Sequence, residues 1–351
     1  MGFEISVIWH CFEFRYSCFE FVLSPCLPGF LIDSPVCSEA NKMAATMIRV
    51  KRPAMGCEFE LVLCGGERNY LLDAADEAFE EVARLEEQMS VFIPTSELSY
   101  INAAAGAGPV RVEPRLFRLV QTAVRLSEET AGAFDVTAGA LSELWVSASD
   151  KVPSMEQISE ALGATGMSKV LLDEEEGTVR FSEPGMRLDL GALAKGYAVG
   201  QIADFLTERG VGSGLVSAGT STVYALGSPP DDDAWTVGIR NPVERDERIA
   251  SVRLKNRAIS TSGSHERFVE VNGVRYSHII DPRSGHPSEE LLAASALAPD
   301  PAVSDALSTA FFILGIEQTK AYCAAHEDVG AVLIARSAQD SRPEVVEVNV
   351  K

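Results

Sequence analysis

Along this chain the apolar positions recur with two different periods, and the switches between them mark out the elements. "CEFELVLC" (Cys57–Cys64) alternates Phe59, Leu61 and Leu63 with Glu58 and Glu60, the period of a half-buried strand. In "YLLDAADEAFEEVARLEEQM" the period lengthens, and Leu72, Ala75, Phe79, Val82 and Met89 share one helical face opposite the acids. A second helix follows Glu113, with Pro114 at its first position and Leu116, Leu119, Val120, Ala123 and Leu126 inward. "SMEQISEALG" predicts a helix capped by Ser154 and stopped at Gly163.

Beyond Gly163 strands dominate. "KVLLDEEEGTVRF" reads as a hairpin, and "MRLDL" (Met186–Leu190) as a strand feeding a helix from about Ala192 to Arg209, ended by Gly210. "SGLVSAG", "AWTVGIR" and "IASVRLKNRAIST" are further strand candidates. "RFVEVNGVRYSHIID" predicts a hairpin, because Asn272-Gly273 supplies the two positive-φ residues of a type I′ turn. A helix from about Pro301 to Leu314 and a buried strand, "GAVLIA", then close the chain. This order is neither strict βαβ alternation nor all-β, which predicts an α+β class with mixed sheets and packed helices.

Residues 1–46 show no such pattern. "FEFVLSPCLPGFLI" is apolar, but Glu20, Pro25 and Pro28 break it, so it is too short to span a bilayer. It also lacks the basic start of a signal peptide. Met43 and Met47 stand just before the first patterned strand. The first 46 residues are therefore expected to be a disordered extension or a misplaced start, with the functional domain at 47–351.

Charge narrows the function. A formal net charge of −21 and the absence of any Lys/Arg run exclude a nucleic-acid binder, which needs a basic stripe. An anionic ligand would require a divalent cation, helix N-termini or a few placed Lys/Arg side chains to offset that field. None of the seven cysteines forms a C-x-x-C pair, which argues against zinc and thioredoxin-type chemistry and fits thiols in a reducing compartment. Neither a G-x-G-x-x-G register, a Walker loop nor a G-x-S-x-G elbow is present.

Four segments carry candidate chemistry. "GAFDVTAGAL" places Asp135 and Thr137 in a small-residue loop after a helix. "LDLGALAKGYA" ends in a helix start whose exposed N–H groups could face an anion, with Lys195 one turn along. "ISTSGSHERF" sets hydroxyls on a strand end, and "VSDALSTAFF" puts Asp305 and Thr309 four apart on one helical face. Singly, each has a plainer reading: Asp189 as a cap, Asp305 as a helix-start acid, Lys195 as a solvated residue, His278 as a strand histidine. Together, a carboxylate and a hydroxyl at i,i+4 offer hard oxygen ligands to Mg²⁺, and the lysine turn offers a diphosphate cradle.

Seven blocks in order then give a resemblance: "MGCEFEL" at Met55, "MSVFIPTSELSYIN", "GAFDVTAG", "LDLGALAKGYAV", "ISTSGSHERF", "YSHIIDPRSGHP" and "SDALSTAFFILG". From about Met47 to its end the chain resembles the FAD:protein FMN transferase family, also called the ApbE or thiamine-biosynthesis-lipoprotein family. The resemblance implies a T-fold-like ApbE architecture and Mg²⁺-dependent transfer of FMN from FAD to a Thr or Ser hydroxyl of a redox flavoprotein, releasing AMP. Carried over, it implies Asp305, Thr309 and the carbonyl of Ala192 as metal ligands. Met55, Phe92, Ala133, Phe134, Asp135, Asp189, Lys195 and Ile280 would contact FAD. His278 would help deprotonate the acceptor hydroxyl, with Asp305 beside it in the catalytic set; His286, by its place in a surface loop, is expected to be peripheral.

Some positions depart from the family's usual pattern. Ser284 stands where Thr is usual, Ala218-Gly219 where many members have Gly-Gly, and Ser304 where Ala is common before the aspartate. Phe92 replaces a common tyrosine, keeping the ring for stacking and losing the hydroxyl. Two other readings use the same residues: an FAD diphosphatase in which water replaces the protein hydroxyl, and a flavin-binding protein without chemistry. With no lipoprotein cleavage pattern, the expected compartment is cytoplasmic, the alternative being export and membrane association as in lipoprotein relatives.

Overall fold

The computed structural model describes Phe19–Phe21 and residues 46–350, apart from 148–150, 245, 264–267, 272–273 and 338–341. Its frame is an eight-stranded sheet. In chain order the strands are β1 (Met47–Ala54), β2 (Cys57–Cys64), β3 (Ser213–Ala218), β4 (Thr222–Leu226), β5 (Arg257–Gly263), β6 (Leu291–Ala298), β7 (Gly330–Ala335) and β8 (Glu344–Val348). Their order in the sheet is the same as their order in the chain, and every neighbouring pair is antiparallel. All else in the domain is therefore an excursion between two adjacent strands. The chain does not end at "GAVLIA", because β8 comes after it and forms the sheet edge.

Among the described residues seven α-helices fill these excursions: α1 (Arg68–Met89), α2 (Glu97–Ala104), α3 (Pro114–Glu129), α4 (Gly139–Val146), α5 (Met155–Gly163), α6 (Ala194–Glu208) and α7 (Pro301–Ala325). The main core forms where α1, α6 and α7 cover one face of the sheet, meeting Phe59, Leu61, Leu63, Val216, Ala296 and Leu333. On the other face lie two paired strands, Trp235–Arg240 and Arg248–Leu254. Their Trp235, Val237, Val252 and Leu254 pack against Val62, Leu215, Val223 and Val332. The α+β class is thus observed.

Being covered on both sides, β2 is not half-buried as its alternation suggests: every residue from Phe59 to Cys64 is buried. Glu60 is kept there by cations, with Lys51 Nζ 3.5 Å from Oε2 and Arg49 Nε donating to Oε1. In α1 the buried face is wider than predicted and takes in Leu71, Ala74, Ala78 and Leu85, while Leu72 sits at its margin. All five inward residues of α3 are buried, and Glu113 caps it by accepting from the amides of Arg115 (2.8 Å) and Leu116 (3.1 Å). Ser154 and Gln157 close a capping box at the start of α5.

"MRLDL" is a clear departure, for it pairs with no strand. Instead, the side-chain amide of Asn102 on α2 takes both backbone groups of Leu188, donating to its carbonyl at 2.9 Å and accepting from its N–H at 2.7 Å. The Asp189 amide donates to Val136 O at 2.7 Å. With its polar groups satisfied from two sides, the segment has no need of a ladder. The helix after it begins at Ala194, not Ala192.

The predicted end of the last helix at Leu314 marks a break. Gly315 leaves the helix with φ 70° and ψ −170°, and the helix resumes to Ala325. Glu290 occupies the gap, accepting from the Ile316 amide at 3.1 Å, and Ser288 Oγ donates to Phe312 O at 3.1 Å. The predicted hairpin forms from Phe268–Val271 and Val274–Ser277, while its Asn272-Gly273 turn lies outside the described residues. So does the expectation for residues 1–46, apart from Thr46 and from Phe19–Phe21, which pairs with Trp235–Arg240. Among the described residues no helix is long and apolar enough to cross a membrane.

The crossing of α6 over α7 depends on a missing side chain. A Cβ on Gly196 would sit 2.7 Å from Asp305 Cβ and closer still to Pro301 O, whereas one on Gly200 would meet only the Pro301 ring at 3.6 Å. Gly196→Ala is therefore expected to lose about 1–3 kcal/mol in urea unfolding, as overpacking does. Gly200→Ala, one turn along the same helix, should be neutral or gain up to about 1 kcal/mol. Equal effects of the two substitutions would refute this account of the crossing.

Candidate active site

Asp305 lies in the first half of α7, only 4% exposed, and its carboxylate ties three layers together. Oδ2 accepts from the Gly196 amide of α6 at 2.9 Å, and Oδ1 accepts from Thr222 Oγ1 of β4 at 3.1 Å. Thr222 in turn accepts from Ser260 Oγ of β5 at 3.1 Å. Burial pushes the Asp305 carboxyl above the usual carboxylate range, and the nearby Lys195 ammonium and these donors offset it in part.

Thr309, one turn further along α7, meets a second hydroxyl group from the same strand. Ser262 Oγ stands 3.1 Å from Thr309 Oγ1 and 2.8 Å from Ser308 Oγ, and Ser308 Oγ donates to Asp305 O at 2.8 Å. Ser260 and Ser262 are two apart on a strand and so share its face, while Asp305 and Thr309 are four apart on a helix. Each serine thus lies beneath one of the two residues singled out from "VSDALSTAFF".

The helix start expected at "LDLGALAKGYA" lies against this pair. Asp189 Oδ1 accepts from the Gly191 amide at 2.9 Å, forming a turn and not a helix cap. Lys195 Nζ donates to Gly191 O at 2.9 Å, folding its cation back over the residues before α6. Ala192 is half-buried between them. The Asp189 bond to Val136 stitches this segment to the "GAFDVTAG" loop, whose Gly132 in turn lies beside Arg283 of the "DPRSG" turn.

Within that loop Asp135 is already committed. Its Oδ1 accepts from the Thr137 amide (2.7 Å) and hydroxyl (2.5 Å), and its Oδ2 from the Met167 amide at 3.0 Å. Burial raises its carboxyl, and these donors counteract only part of that. Ala133 and Phe134 are buried as well, at 0% and 1% exposure.

His278 is half-buried and comes directly after the strand Val274–Ser277. The next residue, Ile279, accepts from the Ser288 amide at 3.0 Å, and the Ser288 hydroxyl bonds to Phe312 on α7. That link brings the His278 segment to the turn of α7 after Thr309. Ile280 is turned inward, packed with Trp145, Leu141 and Ile158. Trp145 Nε1 donates to Gly285 O at 2.8 Å, and exposed His286 meets the Trp145 ring edge-on at 6.2 Å. Met55 occupies the β1–β2 turn at φ 50°, and Phe92 is 84% exposed between α1 and α2.

Among the described residues no three His, Cys, Asp or Glu side chains group as a metal cluster. A cation here would rest on one carboxylate and neutral oxygens, a donor set that suits a hard ion sharing its shell with phosphate. Gly196, Thr222, Ser260, Ser262 and Ser308 do not stand out in the sequence as single residues, although the alternating serines of "ISTSG" are a usable signal. Asp135→Ala is expected to strand two amide donors and cost about 2–3 kcal/mol in denaturant unfolding. A variant that loses flavin affinity at unchanged stability would instead make Asp135 a ligand.

The ApbE family profile matches residues 55–333, most of the chain. A Klebsiella pneumoniae protein named FAD:protein FMN transferase is 33% identical over 288 residues, covering 80% of this chain and 89% of that one. A Treponema pallidum protein of the same name is 36% identical over 278 residues, covering 73% and 76%. Among solved structures, the ApbE protein of Thermotoga maritima superposes with a TM-score of 0.78 at 28% identity, covering 86% of this chain and 97% of that one. The flavin transferase ApbE of Vibrio cholerae gives 0.76 at 26% identity, covering 87% and 97%. In sequence over most of its length and in fold, the chain belongs to the ApbE family.

Proposed function

We propose that this protein is an FAD:protein FMN transferase that moves FMN from FAD to a Thr or Ser hydroxyl of a redox flavoprotein and releases AMP. The observation that carries this reading is the placement of Asp305. It is a buried carboxylate at the meeting point of the α6 start, the sheet and α7, with Thr309 one turn away. The names and similarity of the relatives support the same activity.

In this reading Asp305, the Thr309 hydroxyl and the Ala192 carbonyl would hold Mg²⁺. Bound there, the ion would supply charge neutralisation to the FAD diphosphate, which a protein of net charge −21 otherwise repels. Lys195 and the α6 amides add positive potential on the same side. Phe92 offers an exposed ring on which an isoalloxazine could stack, and Met55 and Asp189 would line the approach. Ala133, Phe134, Asp135 and Ile280 would make further FAD contacts, and the Asp135 carboxylate also keeps its loop in shape.

The chemistry asks for positioning more than for covalent help. The acceptor oxygen attacks the FMN phosphorus while the bond from that phosphorus to the bridging oxygen breaks, and AMP leaves with that oxygen. His278 takes the proton of the attacking hydroxyl.

Incubation with FAD, Mg²⁺ and a threonine-bearing acceptor should give in-gel flavin fluorescence on the acceptor. Asp305→Ala should abolish that signal and any release of free FMN. His278→Ala should slow transfer by about 10²-fold or more while FAD still binds. Free FMN without labelled acceptor would make diphosphatase the better description, and FAD binding with neither product would leave a flavin binder.

A further inference from the structure

The hydroxyl protons around Thr309 can be placed by counting. A carbonyl oxygen only accepts, so the 2.8 Å bond from Ser308 Oγ to Asp305 O uses the Ser308 proton. The 2.8 Å contact between Ser262 and Ser308 must then take its proton from Ser262. With that proton spent, the 3.1 Å contact between Ser262 and Thr309 must take its proton from Thr309. The relay therefore runs one way, from Thr309 to Ser262 to Ser308 to the Asp305 carbonyl. It leaves Thr309 Oγ1 with its O–H turned toward the sheet and its two lone pairs turned away from it.

Asp305 is treated likewise. A carboxylate oxygen can only accept, so Thr222 spends its proton on Oδ1 and must accept from Ser260. Neighbouring inward positions of β5 thus fix the hydroxyl orientation beside both helix residues. A hydroxyl whose proton is committed elsewhere is a pure acceptor on its open side, which is what a cation requires.

We propose that Ser262 is a positioning residue for a divalent cation, acting through Thr309 by holding that hydroxyl as an acceptor. The proposal rests on the reading of Asp305 and Thr309 as metal ligands. Ser262 does not itself touch the ion. Without it, the Thr309 proton is free to rotate into the site, and the oxygen no longer presents a fixed lone pair. Outer-shell partners of this kind change metal affinity by about 10–100-fold.

The test is Mn²⁺ binding to the full chain, read from the EPR signal of the free ion with Mg²⁺ as competitor, alongside thermal unfolding. Ser262→Ala should weaken binding by about tenfold or more, with little change in unfolding temperature. Ser262→Thr, which keeps the hydroxyl, should restore it. Thr309→Val should weaken binding at least as much. The double variant Ser262→Ala, Thr309→Val should be no weaker than Thr309→Val alone, because one residue acts through the other. In turnover, the Mg²⁺ concentration for half-maximal rate should rise in Ser262→Ala while the rate at saturating Mg²⁺ is retained. If Thr309→Val weakens binding and Ser262→Ala does not, the relay has no such role while the metal reading stands. Additive losses in the double variant would also overturn it. If Asp305→Ala and Thr309→Val both bind Mn²⁺ as the unaltered chain does, the metal reading itself falls and takes this inference with it.

Discussion

A carboxylate buried at the meeting of three layers constrains nearly everything around it. Asp305 is carried by α7, yet its oxygens are met by a backbone amide of α6 and a hydroxyl of β4. For the amide to reach, the two helices must approach so closely that position 196 has no room for a side chain. For the hydroxyl to reach, α7 must lie along the face of the sheet where Thr222 and Ser260 point inward. Uncompensated, a charge at this depth would cost several kcal/mol. The helix crossing, the register of the sheet face and the small residues at the contact are the arrangement that compensates it.

This constraint also explains why the site is only partly legible in the sequence. Asp305 and Thr309 announce themselves because helical periodicity puts them on one face, and the Gly-Ala-Leu-Ala-Lys-Gly run marks a helix start whatever it packs against. Their partners are harder to see. Thr222 and Gly196 are distant in sequence from Asp305, and only the three-dimensional crossing gives them meaning. The failed strand at Met186–Leu190 has a similar cause: its backbone is satisfied by Asn102, a side chain on a helix far upstream, and no local pattern encodes that. The burial of β2 is hidden because Glu58 and Glu60 look like a solvent face, whereas flanking cations hold Glu60 and a second strand layer covers Val62 and Cys64.

The break in α7 gives the segment that carries His278 its anchor. An uninterrupted helix would use up the carbonyl of Phe312 and the amide of Ile316 in its own ladder. With Gly315 out of the helix, both groups become available, and Ser288 and Glu290 take them. Those two residues continue the segment that carries His278, the Asp281-Arg283 pair and the turn that Trp145 holds at Gly285. A defect in one helix thus fixes a loop that begins far from it in sequence, and the histidine is held from both ends.

The sheet's order has a topological consequence. Because β2 and β3 are hydrogen-bonded neighbours, the chain leaves and re-enters the sheet about 5 Å apart while residues 65–212 make their excursion. In connectivity that excursion resembles a guest domain spliced into a hairpin: the host could be joined by a tight turn with no strand reordered. In energy it is nothing of the kind. The excursion carries α1 and α6, whose apolar faces complete the host's core, and Gly196, whose amide meets Asp305. The host supplies the acid and one of its hydrogen-bond donors, Thr222, and the guest supplies the other, the Gly196 amide, so neither piece holds the acid fully satisfied without the other.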